Sequence, residues 1–419
     1  MVKGEAMKKI LLFSHGMELG GAERALLGLM QNLDLTKYQV DLFLMRKEGE
    51  LLKYIPQGIH LLPGKEEYTC LAVPISRVAG KKKWGIFKGR IIGKVKAACF
   101  VKCHGLRPDN GVALEYSHKY TCRYMPAVSD TEYDLAISFL TPHYFAAKKA
   151  KAKKRIAWIH TDYTSLEIDV NSERRMWSAY DRIVSVSEEC SRGFAARFPN
   201  LADRLVCIGH ILPVDFIKNQ AVLFDAAKEM TEDGSFRILS VGRFCYAKNF
   251  DNVPDICKRI VEAGYRIRWY LIGFGPDEEL IRQRIREAEM EEHVILLGKR
   301  ENPYPYMRAC DLYVQPSRYE GSCVCVYEAR VLGKPVLITN YETAKSQLKD
   351  KVDGVIVPAD NKGCAEGIIS LIRNSKLRER LAEHAAETDY VNHTGTDRLY
   401  ALIENMTGPA GAQETGGSI

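Results

Sequence analysis

The sequence predicts an α/β protein with two Rossmann-like, doubly wound parallel-sheet domains facing a central cleft and a C-terminal helix crossing back to the first domain. Three observations carry that expectation. Short apolar runs of strand length alternate with helix-length segments almost throughout, the pattern of parallel strands covered by helices on both faces. The alternation closes near Pro213 and restarts at Phe236. A chain of 419 residues suits two domains of ordinary size, each burying its own core.

In the first half, Lys9 to Ser14 reads as a strand, followed by Gly20-Gly21 and a helix pattern from Ala22 to Leu33. Val40 to Met45, Ile59 to Leu62, Leu135 to Leu140, Ile156 to His160 and Ile183 to Val186 are further strands. Leu205 to Leu212 closes the half, and Pro213 to Lys218 reads as the connection. The second half brings strands at Arg237 to Val241, Trp269 to Ile272, Val294 to Leu297, Asp311 to Gln315, Val336 to Thr339 and Val355 to Val357, with a buried helix from Val324 to Leu332. The expected domains are 1–215, with a basic insertion at 69–108, and 216–390. A helix at 391–406, centred on Arg398 to Ile403, packs back on the first domain, and a Gly- and Pro-rich tail at 407–419 is read as disordered.

Composition narrows the class. At 46% hydrophobic and 27% charged residues the chain is neither fibrous nor disordered. Its twelve cysteines are irregularly spaced, and Cys207, Cys257 and Cys310 sit inside apolar runs, so reduced thiols in a cytoplasmic protein are expected. Cys99, Cys103 and His104 lack a second ligand pair at zinc-finger spacing, so no metal site is expected. No apolar stretch approaches the roughly 20 residues needed to span a bilayer.

The net charge of +7 is unevenly spread. From Thr69 to Pro108 there is no acidic residue, while Arg77, Lys81, Lys82, Lys83, Lys88, Arg90, Lys94, Lys96, Lys102 and Arg107 accumulate. Trp84, Ile86, Phe87, Ile91, Ile92, Val95, Phe100 and Val101 recur among them in a helical rhythm. Such a segment suits anionic lipid head groups at the face of a membrane, or equally a solvated helical face beside an acidic substrate. No nucleic-acid recognition motif accompanies it.

The chemistry concentrates at strand ends, where ligands of doubly wound sheets bind. Glu320 and Glu328 form an E-x7-E pair, the first after a strand that ends at Pro316, the second about two turns into a helix whose start offers free N–H groups to phosphate or hydroxyls. Gly242-Arg243 with Lys248-Asn249 places an Arg and a Lys five residues apart on one loop, where they can clamp the phosphates of a nucleotide diphosphate, one by fork geometry and one as a mobile point charge. Gly20-Gly21 precedes a helix start, where a phosphate can approach backbone N–H groups. His160 ends a strand beside Asp162. Gly273-Phe274-Gly275-Pro276 makes a tight turn able to approach a flat base, but it lacks the third glycine of a dinucleotide fingerprint.

Taken in this order, these elements resemble the retaining glycosyltransferase family 4, with its two-Rossmann GT-B fold. The resemblance runs from about Lys8 to about Asn405 and is strongest from Phe236 to Pro358. It implies that Arg243 and Lys248 neutralise the departing diphosphate, that Glu328 holds the ribose hydroxyls, and that Glu320 faces the donor sugar near the anomeric carbon. It further implies that the loops at Gly20, Gly21, Gly242, Gly273 and Gly321 and the backbone of Ser322 and Cys323 bind the donor, and that His160 lies near the transferred sugar. The first domain would bind the acceptor. Many members carry Phe-Gly or a proline where Ser322-Cys323 stands, which bears on the sugar pocket.

The implied reaction moves a hexosyl unit from a nucleotide-diphosphate sugar, a UDP-hexose being the commonest case, to a hydroxyl of a lipid-linked or surface-glycan acceptor. No cofactor or metal is expected, since the chain has no Asp-x-Asp pair. Rival readings are a UDP-sugar 2-epimerase of the same fold and a catalytically silent sugar-nucleotide-binding partner subunit.

Overall fold

The computed structural model describes residues 7–107, 110–226, 229–230, 233–388, 390 and 393–408. The expected tail lies, beyond residue 408, outside the described residues, as do Pro108 and residues 391–392. The chain forms two compact units. One comprises the residues up to Glu18, Leu29–Ile211 and those from His393 on; the other comprises Leu19–Gly28 and Leu212–Asn392.

The first unit is built on a seven-stranded parallel sheet: β1 (Lys8–Ser14), β2 (Tyr38–Leu44), β3 (Ile59–Leu61), β4 (Glu132–Ser138), β5 (Lys151–Ile159), β6 (Arg182–Ser185) and β7 (Leu205–Cys207), in the order β3-β2-β1-β4-β5-β6-β7. β1 pairs Lys8 with Tyr38 on one side and Ile10 with Leu135 on the other. Ile10, Leu11, Leu12 and Phe13 are fully buried, the continuous apolar run of a strand covered on both faces. The second unit carries six parallel strands: β8 (Phe236–Val241), β9 (Ile267–Ile272), β10 (Val294–Gly298), β11 (Leu312–Gln315), β12 (Val336–Thr339) and β13 (Val355–Val357), ordered β10-β9-β8-β11-β12-β13. Both sheets therefore reverse direction beside their first strand, between β1 and β4 and between β8 and β11, and such reversals open a crevice at the carboxyl ends.

The apolar runs place every strand but misjudge several ends. β4 and β5 begin at Glu132 and Lys151, on exposed polar residues that carry no hydrophobic signal. β7 stops at Cys207: the Ile208 N–H still donates to the Ser185 carbonyl, and Ile211 and Leu212 are buried beyond the strand. The expected connection at Pro213 to Lys218 is a helix, Val214–Gln220. The C-terminal helix, His393–Thr407, belongs to the first unit, where Leu399 and Ile403 are fully buried, the Tyr400 hydroxyl donates to the Asn32 carbonyl, and its ring stacks on Tyr38 at 6.1 Å.

The basic insertion is helical, with its main helix at Trp84–His104. Its packed side is Ile86, Gly89, Gly93 and Ala97, facing the Val112–Thr121 helix. A Cβ on Gly89 would lie 2.7 Å from the Tyr120 carbonyl oxygen and one on Gly93 2.9 Å from that of Tyr116, so the small residues set how closely the two helices approach. Trp84, Ile91 and Val95 are instead 63%, 41% and 57% exposed. Helical spacing puts them, with Lys88 and Lys102, on the side opposite the packed stripe. The charge is also less free than the sequence implies. Lys81 and Lys83 pair with Glu66 and Glu67, immediately upstream of the acid-free stretch, Arg90 donates to the carbonyls of Cys70 and Val73, and Arg107 pairs with Glu167.

Candidate active site

In the second unit the loops after β8 and β9 meet through backbone too close for side chains. A Cβ on Gly273 would lie 1.9 Å from the Gly242 carbonyl oxygen, and one on Gly275 2.2 Å from that of Phe244. The Phe244 N–H donates to the Phe274 carbonyl at 2.9 Å, and the Phe244 carbonyl accepts from the Asp277 N–H at 3.1 Å. Glycine at 273 and 275 is thus demanded by the neighbouring strand-end loop, which it holds in place.

That loop delivers Lys248. Its aliphatic stem runs along Gly242, and its ammonium donates to Glu320 at 2.5 Å, in a pair whose side chains are only 18% and 11% exposed. The geometry is held from both sides. The Arg318 guanidinium grips Asp251 at 2.9 and 2.7 Å, donates to the Tyr246 carbonyl and stacks on the Tyr246 ring, fastening the Tyr246–Lys248 turn to the loop that bears Glu320. From the core, a chain of hydrogen bonds runs from the Tyr313 hydroxyl to Gln315, from the Gln315 amide to Ser317 and from the Ser317 hydroxyl to the Glu320 carboxylate, with distances of 2.9, 2.9 and 2.6 Å. Burial works against the charge on Lys248, but the neighbouring Cys323 and Glu320 outweigh it and hold its pKa above the ordinary lysine value. The mobile point charge of the sequence reading is therefore a buried, fully oriented ammonium. Arg243 is exposed and makes no ion pair or side-chain hydrogen bond among the described residues.

Glu328 occupies the interior of the Val324–Val331 helix, 1% exposed, with both carboxylate oxygens taken. One accepts from Arg24 at 2.8 Å and the other from the Tyr304 hydroxyl at 2.8 Å; the Arg24 guanidinium also lies over the Tyr304 ring. Burial opposes the Arg24 charge, yet Glu328 more than compensates and raises its pKa. Arg24 was not singled out in the sequence. Its signal was available only as a charged residue on the inward side of an otherwise apolar helix, directly after Gly20-Gly21. The segment Leu19–Gly28 clusters with the second unit rather than with the strands it lies between, and a Cβ on Gly21 would meet the Val324 side chain at 3.6 Å. The structure thus brings together Gly20, Gly21, Gly242, Lys248, Gly273, Glu320, Gly321, Ser322, Cys323 and Glu328 within one unit.

One expectation needs correcting. The backbone of Cys323 is not free for a sugar or phosphate: its N–H donates to the Gln347 side-chain oxygen at 3.2 Å and its carbonyl accepts from the Gln347 amide at 2.5 Å. A glutamine 24 residues away takes up the backbone of the residue that caps this helix.

His160 belongs to the first unit, one residue past β5, packed on Phe139 at 4.5 Å. Both its ring nitrogens are buried without a hydrogen bond of normal geometry among the described residues, and burial, reinforced by His210, drives its pKa down to about 3. It has company. His15 and His118 lie with ring centroids 5.4 Å apart, His15 lowered to about 4 and His118 well below its usual value, both chiefly by burial. His143, fully buried, bonds Ser138 at 2.8 Å and Thr141 at 3.0 Å and is lowered likewise. Orphaned atoms on Ser14, His15, His118 and Glu115 complete a buried polar patch at the carboxyl edge of this sheet.

Comparison with known proteins bears on the family and the fold. Residues 223–388 match the family model described as Glycosyl transferases group 1. That stretch holds Gly242, Arg243, Lys248, Gly273, Glu320 and Glu328. Among curated proteins, the chain is 26% identical over 196 residues to the lipopolysaccharide core biosynthesis glycosyltransferase LpsE of Rhizobium meliloti, covering 45% of this chain and 56% of that protein. It is 28% identical over 155 residues to the phosphatidyl-myo-inositol mannosyltransferase of Mycobacterium leprae, covering 36% and 41%. The matches therefore span about half or less of these relatives' lengths. Among solved structures, Anabaena HepE in complex with UDP and glucose superposes with a TM-score of 0.66 at 14% identity, covering 95% of this chain and 100% of that one. S. aureus TarM, solved with UDP and glycan ligands, does so with 0.66 at 13% identity over 96% and 100%. At such identities the likeness establishes the fold, the two-Rossmann GT-B type.

Proposed function

We propose that this chain is a retaining, metal-independent glycosyltransferase that moves a hexosyl unit from a nucleotide-diphosphate sugar, a UDP-hexose first, to a hydroxyl of a lipid-linked or surface-glycan acceptor. What supports the reading most is the pairing of Lys248 with Glu320 on strand-end loops, and of Glu328 with Arg24 beside them, where Lys248, Glu320 and Glu328 lie inside a stretch that matches a glycosyltransferase family model. Breaking a sugar–phosphate bond builds positive charge on the ring and negative charge on the diphosphate. An ammonium fixed in a buried site stabilises that leaving group more in the transition state than in the ground state. Lys248 would turn from Glu320 to the phosphate, joined by the exposed Arg243, with no metal required. Glu320, released, lies beside the anomeric centre, and Glu328 exchanges its internal donors for ribose hydroxyls. Retention then follows from front-face attack, with the leaving phosphate accepting the acceptor's proton.

A thermal-shift screen over nucleotide sugars tests donor binding. The cognate donor at a hundred times its Kd is expected to add about 2.7 kcal/mol of stability. Mass analysis of the products with and without acceptor then separates transfer from 2-epimerisation, and complete inertness toward a bound donor would leave only the silent-partner reading.

The acceptor's setting is the inner, cytoplasmic face of an anionic membrane. Among the described residues no helix is long and apolar enough to cross one. The support is the outward side of the Trp84–His104 helix, where Trp84, Ile91 and Val95 stand exposed beside Lys88 and Lys102. Each such lysine near an anionic surface contributes about 1 kcal/mol. Reversing Lys88, Lys94 and Lys102 to glutamate is expected to cut co-sedimentation with phosphatidylglycerol vesicles at least tenfold. Undiminished sedimentation would remove the membrane from the proposal.

A further inference from the structure

The chain has twelve cysteines, and burial raises the thiols of Cys190, Cys257, Cys310 and Cys364. Two others have different surroundings. Cys323 caps the Val324–Val331 helix, and Cys325 is its second residue. The Cys323 sulfur lies 3.9 Å from the Lys248 ammonium and the Cys325 sulfur 3.7 Å from the Arg24 guanidinium. Each thiol therefore touches one of the two cations that hold the site's carboxylates. Residues two apart have Cα atoms at most about 7 Å apart, and the helical turn at Val324 shortens this into the disulfide range of about 4.4–6.8 Å.

We propose that Cys323 and Cys325 form a thiol modification site within the donor-binding loops, which an oxidant of the hydroperoxide class closes into a disulfide, disabling nucleotide-sugar binding. The consequence for binding rests on the function proposed above; the disulfide itself does not. The cations favour the thiolate, the reactive form. The neighbouring Cys323 thiol lowers Cys325, while Cys325 and burial raise Cys323, which makes Cys325 the first nucleophile. Its thiolate attacks the outer oxygen of the hydroperoxide; the O–O bond breaks, the alkoxide leaves and takes a proton as an alcohol, and Cys325 becomes a sulfenic acid. The Cys323 thiol attacks that sulfur, the S–O bond breaks and water departs. Two thiols and one hydroperoxide thus give one disulfide, one alcohol and one water, with two electrons passing to the peroxide.

Closing the bridge draws both sulfurs away from Lys248 and Arg24 and twists the helix start that Gln347 pins through the Cys323 backbone. Because Cys323 and Cys325 are only 3% and 8% exposed, the oxidant reaches them when those contacts open, the same opening a donor needs. Bound nucleotide should therefore protect them.

The test treats the full chain with hydrogen peroxide, alkylates the remaining thiols and digests with trypsin. Cleavage after Arg318 and Arg330 yields one peptide, Tyr319 to Arg330, carrying both thiols and no other. It is expected to become unalkylatable and lighter by two hydrogen atoms, ahead of the Cys257 and Cys364 peptides and more slowly with UDP present. The donor-induced thermal shift should vanish in step and return with dithiothreitol, and Cys325→Ser should remove the peroxide sensitivity of that shift. A peptide that stays fully alkylatable while exposed Cys99 and Cys103 oxidise overturns the site. The disulfide forming in a chain that no nucleotide sugar stabilises would uphold the site and count against the donor reading alone.

Discussion

Replacing Lys248 by methionine is expected to abolish transfer, a loss of about a thousandfold or more in kcat/KM, because about 4 kcal/mol of leaving-group stabilisation disappears with the ammonium. It should also destabilise the second unit by about 3 kcal/mol, since Glu320 is left buried without its counter-charge. The two effects separate in the double variant Lys248→Met, Glu320→Gln. Removing both charges should restore most of the stability, read by urea unfolding, while transfer stays lost. Arg24→Met with Glu328→Gln should behave alike in stability, because that pair is buried more deeply. Unchanged turnover of the correct donor by the lysine variant would defeat the functional assignment. A stability penalty that persists in the double variant would show that the pair is not what holds these loops.

A second large effect is acid lability of the first unit. His15, His118, His143 and His160 are held neutral by burial, with pKa values of about 4 and about 3 for His15 and His160 and depressed values for the other two. The unfolded chain takes up protons on these residues below its ordinary value near 6.5, whereas the folded unit does not. Their contribution is therefore complete above pH 6.5 and is lost as pH falls toward the folded values. Glu173 runs the other way: burial lifts it to about 7, so its contribution is present at low pH and lost as pH rises through that value. Glu115, raised by burial in the same way, adds to Glu173. At about 1.4 kcal/mol per proton and pH unit, four histidines against two carboxyls leave a net loss of about 3 kcal/mol over the pH interval from about 6.5 to about 5.5. The unfolding midpoint is expected to drop by roughly 10 °C over that interval, and His118→Gln should flatten the slope. A midpoint constant from pH 7 to pH 5 would contradict the burial of these rings.

Much of this molecule could be read from the chain because strand and helix periods are local properties. Every strand of both sheets was anticipated, since buried parallel strands are continuous apolar runs; the polar starts of β4 and β5 were not, since nothing apolar marks them. The site loops were equally legible, because Gly242, Lys248, Gly273 and Glu320 follow the ends of strand-like runs and Glu328 lies in the helix pattern that comes next. The packed face of the Trp84–His104 helix was not legible in the chain, because a stripe of glycines carries no hydrophobic signal; of the apolar series, Ile86 lies on the packed side and Trp84, Ile91 and Val95 are exposed.

By itself, then, the sequence determined two doubly wound sheets and the chemical groups placed at their carboxyl ends, because each depends on neighbours a few residues away. Tertiary structure alone decided how those groups are matched: Lys248 with Glu320 across 72 positions, Arg24 with Glu328 across 304, and Gln347 across the Cys323 backbone. Charge has no periodicity, so an ion pair's partner is settled only when folding removes both groups from water and each must be satisfied by what lies beside it.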